Sequence, residues 1–295
     1  AAIEQCEPVD HKRIINEYTD KKAQYKGNAA VTTTFRYTDS TESRLIDQSV
    51  MTTMLFDERG NALDQVSETS IYDEAIDDLV LTTRNVIENR EYSNNGDAGL
   101  QRTTSYQVIY QKDASGNHIV GPDGKYVLQE EVITNYQVNT NRVYDSQHNI
   151  LNQNVLTYAD DTETDLLEVQ EIRSFGYTTS GVARQQIILS FSDLDKESLL
   201  DVQVIENVGV NPSGDVTESI ITSYASVKDG VDTSGAITVS DLEGEIDRQV
   251  IKTLDFDDFG NSLEQTIVRQ YWGRERDEQG NEIGDAKFLF SEAQR

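Results

Sequence analysis

The side chains best equipped for chemistry in this 295-residue sequence are its carboxylates, 53 of them against 25 lysines and arginines. Adjacent pairs stand at Asp77-Asp78, Glu130-Glu131, Asp160-Asp161 and Asp257-Asp258. Two carboxylates flanking a sugar bond are the working parts of a glycosidase. With this many acids, pairs arise by number alone, and a solvated acidic face accounts for them. Acidic turns such as Asp255-Phe256-Asp257-Asp258 and Asp193-Leu194-Asp195 offer the oxygen ligands that calcium takes. No EF-hand loop or Gly-Gly-x-Gly-x-Asp nonapeptide accompanies them, so no cofactor is expected and calcium is a minority reading. His11, His118 and His148 are far apart, and Cys6 is the only cysteine, which argues against a zinc site. There is no Gly-x-Ser-x-Gly elbow, and the glycine pair Gly209 and Gly214 is followed by Asp215 where a phosphate loop needs lysine. The sequence carries no catalytic constellation, and no enzyme is expected.

A formal charge of −28 disfavours nucleic acid and anionic membrane surfaces as partners, since both are bound through lysine and arginine. No apolar run is long enough for a membrane-spanning helix. A single cysteine excludes an intrachain disulfide, and Cys6 is either a free thiol or a bridge to another chain. Without an initiator Met or a signal peptide, the chain is expected to be mature or a piece of something longer. Apolar residues make up 36%, enough for order but only for a thin core.

The residues that organise the chain are structural. A ten-residue pattern occurs at 56–65, 144–153 and 256–265: aromatic, Asp, three variable residues, Asn, one variable, Leu, one variable, Gln. Its carriers are Phe56, Asp57, Asn61, Leu63 and Gln65; Tyr144, Asp145, Asn149, Leu151 and Gln153; Phe256, Asp257, Asn261, Leu263 and Gln265. Gly60 and Gly260 precede the Asn in the outer copies. β-Branched and aromatic residues lead into each copy, so each begins at a strand end. The Asp carboxylate can accept backbone N–H groups two residues on, and Gly-Asn tolerates the positive φ of a tight reversal. Past the Asn, apolar and polar residues alternate with period two. Each copy predicts a β-hairpin. His148 in place of glycine predicts strain or a different turn in the middle copy.

Strands are predicted at 31–37, 44–56, 62–72, 79–92, 100–111, 126–144, 150–158, 166–177, 182–191, 199–208, 216–226, 246–256 and 262–272. The residues between them are polar turns. Positions 73–78 and 193–198 each suit one helical turn, and 229–244 reads as a long loop with a weak strand at 236–239. Residues 10–18 lean towards strand, because Tyr18-Thr19-Asp20 and Tyr37-Thr38-Asp39 echo the aromatic-to-Asp step. The expected organisation is an N-terminal segment, 1–29, continuing a preceding repeat; a hairpin array, 30–273; and a C-terminal segment, 274–295. Long strands joined by short turns give an all-β class with antiparallel neighbours in an elongated, twisted or spiralling sheet.

Phe56-Asp57 with Gly60-Asn61, Phe256-Asp257 with Gly260-Asn261, and Tyr144-Asp145 with Asn149 resemble the YD repeat of Rhs proteins, toxin-complex shells, teneurins and wall-associated bacterial proteins. Residues 112–117 and 276–281 are partial copies without the aromatic. The resemblance implies a spiralling repeat sheet and an extracellular or cell-surface location. No self-cleaving aspartyl motif of the Rhs type and no toxin domain are present. The expected function is a structural segment of a fibre, sheath or adhesin, joined to other copies or to neighbouring repeats. A toxin-shell segment and a carbohydrate-binding β-protein are the alternatives, the latter with a surface glycan as partner for the fourteen tyrosines.

Overall fold

In the computed structural model the described residues are 11–38, 40–212, 214–256, 262–277 and 279–294. Among them, fifteen strands form one antiparallel sheet whose hydrogen-bonded order is the chain order, β1 to β15. The first seven are His11–Glu17, Val31–Tyr37, Leu45–Phe56, Ala62–Asp73, Asp78–Tyr92, Ala98–Tyr110 and Leu128–Tyr144. The next four, β8 to β11, are Ile150–Tyr158, Leu166–Tyr177, Ala183–Phe191 and Leu199–Val210. The last four, β12 to β15, are Val216–Val227, Leu242–Phe256, Ser262–Arg276 and Glu282–Gln294. The all-β antiparallel class read from the sequence is therefore observed. Sequential order is the low-cost solution when each strand meets its neighbour through a short turn, because no long loop has to be closed.

Between β1 and β2 lies one short helix, α1 (Lys21–Lys26). Asp20 caps it, accepting from the amides of Lys22 and Ala23 at 2.8 Å each. The echo at Tyr18-Thr19-Asp20 thus starts a helix and not a hairpin. Two expectations are corrected. Positions 73–78 and 193–198 are turns without helix, closed at one residue of left-handed backbone each, Asp77 (φ 54°) and Lys196 (φ 59°). Positions 236–239 hold no strand; Val239–Asp241 form a 3₁₀ turn whose Asp241 carboxylate accepts from the Thr238 amide at 2.8 Å. A polar, Gly-rich segment finds its hydrogen bonds locally, and a lone strand there would have no edge to pair with. Residues 274–295 hold the end of β14 and all of β15.

The chain divides into two compact units, Ala1–Asn139 with Thr157–Asp165, and Thr140–Leu156 with Leu166–Arg295. In the first, most strand positions are half-buried on both faces, in keeping with their Thr, Gln and Ser content. The second contains a cluster of buried apolar residues. Val169, Ile187, Leu189, Phe191, Val202 and Val204 share one face of β9 to β11, and the 228–241 loop lays Ile237 and the start of β13, Leu242, on top. Ile187, Leu189, Val202 and Ile237 are each 0% exposed. A sheet face buries itself only against a second layer, and here the layer is a loop.

Candidate functional site

The predicted turn residues come together as hydrogen-bonded caps. Asp57 Oδ1 accepts from the amides of Arg59, Gly60 and Asn61 at 2.8–2.9 Å, and Asn61 Nδ2 donates to Oδ2 at 2.8 Å. The Asp57 amide donates to Asn61 O, and the Gly60 amide to Asp57 O. With Gly60 at φ 99°, this is a three-residue hairpin loop closed by a left-handed residue. Asp145 repeats it: Gln147 and Asn149 amides donate to Oδ1, and Asn149 Nδ2 to Oδ2 at 2.9 Å. His148 occupies the left-handed position at φ 65°, so the turn type is kept and the strain is real. In the third copy Asp257, Gly260 and Asn261 lie outside the described residues, as does Cys6. Phe256 pairs with Ser262 just as Phe56 pairs with Ala62, so the chain reverses there too.

The trailing Gln has a role of its own. Gln65 Nε2 donates to Thr53 Oγ1 at 3.3 Å and Gln265 Nε2 to Thr253 Oγ1 at 3.1 Å, each across a directly paired position. The middle copy has Asn141 where the others have that threonine. Leu63 and Leu151 are half-buried, whereas Leu263 is exposed, and the three aromatics Phe56, Tyr144 and Phe256 are half-buried. Tyr92 and Tyr177, which end strands, donate to the first carbonyl after the previous such turn, Ala62 and Ile150.

Further members of the turn class fall on stretches that the sequence marks as polar turns or partial copies. The same backbone bonds occur at 93–97, 113–117, 121–125, 178–182, 211–215 and 277–281. Ser93 and Thr178 hydroxyls stand in for the Asp carboxylate, and Asn211 with Asp215 is the motif pair in reverse order. Any side chain with an acceptor one or two bonds from Cβ can fill this role. Asp113 and Asp277 make the turn in its Asp form, as the partial copies imply, whereas the Ser93, Thr178 and Asn211 forms lie outside the ten-residue pattern.

A second turn class is missing from the sequence reading. After Tyr37, Tyr158 and Phe191 the next residue's amide donates to a carbonyl six residues on: Thr38 to Arg44, Ala159 to Asp165, Ser192 to Ser198. In each, the fifth residue after the aromatic is left-handed: Glu42 (φ 56°), Glu163 (φ 57°) and Lys196 (φ 59°). That residue folds back over the preceding strands. Glu42 reaches Arg13 Nη1 at 2.6 Å and His11 Nε2 at 3.3 Å. Glu163 reaches the Tyr136 hydroxyl at 3.0 Å and Arg102 Nε at 3.5 Å. Burial first, then the bond to Glu163, pushes the Tyr136 hydroxyl up to about 12.

Lys196 meets a different environment. Its Nζ contacts Glu171 Oε1, and Asn154 Nδ2 donates to that same oxygen at 3.1 Å. Glu171 is 0% exposed, in the middle of β9 and beside the buried apolar cluster. Arg173, two residues on and facing the same way, holds Nη1 at 2.9 Å from Glu171 Oε2, outside hydrogen-bond geometry. Its other nitrogens donate to the covering loop, Nε to Gly235 O and Nη2 to Thr233 O, both at 2.7 Å. A buried carboxylate is tolerated only when it is paired, and here two cations and an amide converge on it.

Several members of the paired carboxylates are engaged with other partners, and Asp257-Asp258 lies outside the described residues. Asp77 bonds the Tyr72 hydroxyl while Asp78 pairs with Lys125 at 3.0 Å, and Glu131 pairs with Arg84 at 2.9 Å. Glu130 and Glu131 are neighbours in β7 and face opposite ways, which separates them. Asp193, a candidate calcium ligand, spends both oxygens on the amides of Glu197 and Ser198. Among the described residues no group of three or more His, Cys, Asp or Glu is placed to hold a metal ion. No helix among them is long and apolar enough to cross a membrane. The hydrogen bonds from Asn149, side chain first, hold Asp145 below its ordinary 3.8, and those from Asn281 do the same for Asp277. At Asp57 partial desolvation opposes the shift, but the bonds from Asn61, Gly60 and Arg59 outweigh it. No protein-family model matches the sequence, and no curated protein matches it.

Proposed function

We propose that this chain is a non-catalytic structural protein of the cell surface or extracellular space: a segment of a fibre, sheath or adhesin, built from hairpins of the YD-repeat type. The observation that carries the reading is the recurrence of one capped hairpin turn along a sheet laid down in chain order. Such a sheet grows by adding hairpins, so its natural partners are more of the same. Among the described residues, β1 pairs only with β2 and β15 only with β14, so each offers a row of backbone donors and acceptors. Both carry exposed apolar side chains, Ile14 and Ile15 on β1 and Ile283 and Phe290 on β15. The acidic surface keeps the chain from associating anywhere but at such complementary edges.

Negative-stain imaging with sedimentation velocity over rising concentration tests this. End-to-end strings or higher oligomers are expected, and substituting Ile14→Pro in β1 should shorten them, since proline removes a ladder donor. Compact single particles at every concentration would speak against the assembly role.

A further inference from the structure

One cluster in the second unit brings together groups that can react with one another. Lys196 Nζ and Asn154 Nδ2 meet at a single oxygen, Glu171 Oε1, in the interior of the second unit. The three residues come from the β10–β11 turn, β8 and β9, so any bond between the first two would bridge across β9. Glu171 is 0% exposed and Asn154 7%, and the Lys196 side chain keeps 24% of its surface. The far side of the amide is also engaged: the Thr140 hydroxyl donates to Asn154 Oδ1 at 3.5 Å, which polarises the carbonyl. Glu171 Oε2 accepts no hydrogen bond and is held by charge alone, with Arg173 Nη1 at 2.9 Å.

We propose that Lys196 and Asn154 join in an intramolecular amide bond, with Glu171 as the proton carrier. A lysine amine becomes a nucleophile towards a carbonyl carbon when burial and a positioned base remove its proton. The Lys196 ammonium gives one proton to the Glu171 carboxylate, and the freed amine attacks Asn154 Cγ. The Nζ–Cγ bond forms and the Cγ–Nδ2 bond breaks. Glu171 returns its proton to the departing nitrogen, which takes a second from the attacking Nζ and leaves as ammonium. One lysine ammonium and one amide enter; one secondary amide and one ammonium leave, and Glu171 ends as it began. No oxidant, metal or cofactor takes part. Holding both groups on one carboxylate replaces a bimolecular encounter with an intramolecular one. Arg173 has a positioning role: it lies beside Glu171 and is itself anchored to the loop at Gly235 O and Thr233 O, which fixes the carboxylate between the two reacting groups. The reaction happens once per chain, so the chain would modify itself without being a turnover enzyme.

Intact-mass spectrometry of the full 295-residue chain decides it. The expected mass is that of the sequence less one ammonia, with a peptide map showing a branched species that joins the peptides containing residues 154 and 196. The variants Asn154→Ala, Lys196→Ala and Glu171→Gln should each return the full mass, and Arg173→Lys should slow the loss of ammonia. Two results would overturn the proposal. One is the full sequence mass in both fresh and aged protein, leaving the cluster as an ion pair. The other is ammonia loss mapped to a linear peptide, for example a succinimide at Asn95-Gly96.

Discussion

The turn that follows Tyr37 and the turn that follows Phe191 share a backbone and differ in everything their side chains do. Arg13 lies opposite Phe35, two residues before Tyr37, and Glu171 lies opposite Leu189, two residues before Phe191. Glu42 and Lys196 occupy the same left-handed turn position. The first turn therefore puts an acid over a base and the second a base over an acid. What separates them is cover. Arg13 and Glu42 stay 45% and 29% exposed, whereas Glu171 is 0% exposed beneath Lys196 and beside Arg173, which the 228–241 loop holds. One scaffold position thus yields a solvated ion pair in one unit and a desolvated, reactive grouping in the other, and the difference is made by a loop.

If cover sets the energetics, removing one partner must cost unequally. Glu171→Ala strands Arg173 and Lys196 beside an apolar cluster, and the expected loss is about 3–5 kcal/mol, read from the urea midpoint of the second unit. A loss under about 1 kcal/mol would mean that water reaches the cluster, and the comparison would fail. Next in size is Ile237→Ala, which leaves a cavity between the loop and β10–β11. It should cost about 2–5 kcal/mol and raise amide exchange in those strands while leaving β2–β4 untouched.

Much of this was legible in advance, for a definite reason. Strands 31–37, 150–158 and 166–177 were read to the residue because each is a strand-forming run between a turn and a closing tyrosine. The Asp57 and Asp145 turns were legible because Asp and Asn announce their own hydrogen bonds. Ser93, Thr178 and Asn211 make the same turn in a different spelling, and the aromatic-to-left-handed spacing of the second class lies in backbone conformation, which sequence shows only indirectly. The Glu171 cluster was illegible altogether. Its members stand at 154, 171, 173 and 196, and only strand pairing and a loop from 228–241 bring them together. In a sequence with 53 acids, nothing local separates a buried glutamate from an exposed one.

The capped hairpin turns give the comparison a pH dimension. The carboxylates of Asp57, Asp113, Asp145 and Asp277 titrate below their ordinary 3.8 in the folded chain. Near that pH the unfolded chain binds more protons than the folded one, so their contribution is present above 3.8 and is lost as pH falls below it. The urea midpoint should drop on acidification below about pH 4, and Asp57→Ala with Asp145→Ala should flatten that drop. A midpoint that stays level to pH 2 would show these caps to be energetically silent. Turns that use Ser93 or Thr178 have no such titration. Smaller still is His148→Gly. It relieves the one side chain held left-handed in an otherwise glycine position, and it should raise the melting temperature by an amount corresponding to about 1 kcal/mol.

The smallest effect is the sharpest test of the shared scaffold. Glu42→Ala should cost roughly 0–1 kcal/mol and less at high salt, because an exposed pair gains little in water. The informative variant is the exchange, Glu42→Lys with Arg13→Glu, which writes the second unit's polarity into the first. Each single change sets like charges against each other and should lower stability. The double variant should recover to within about 0.5 kcal/mol of the parent, a coupling that a double-mutant cycle isolates. If backbone geometry alone brings the left-handed turn residue over the preceding strand, the sign of the pair is free and only its opposition matters. A double variant no better than its worse single would show that the acid-over-base order is fixed by something else around Tyr37, such as His11 at 3.3 Å from Glu42. The two turns would then be alike in backbone and unrelated in design.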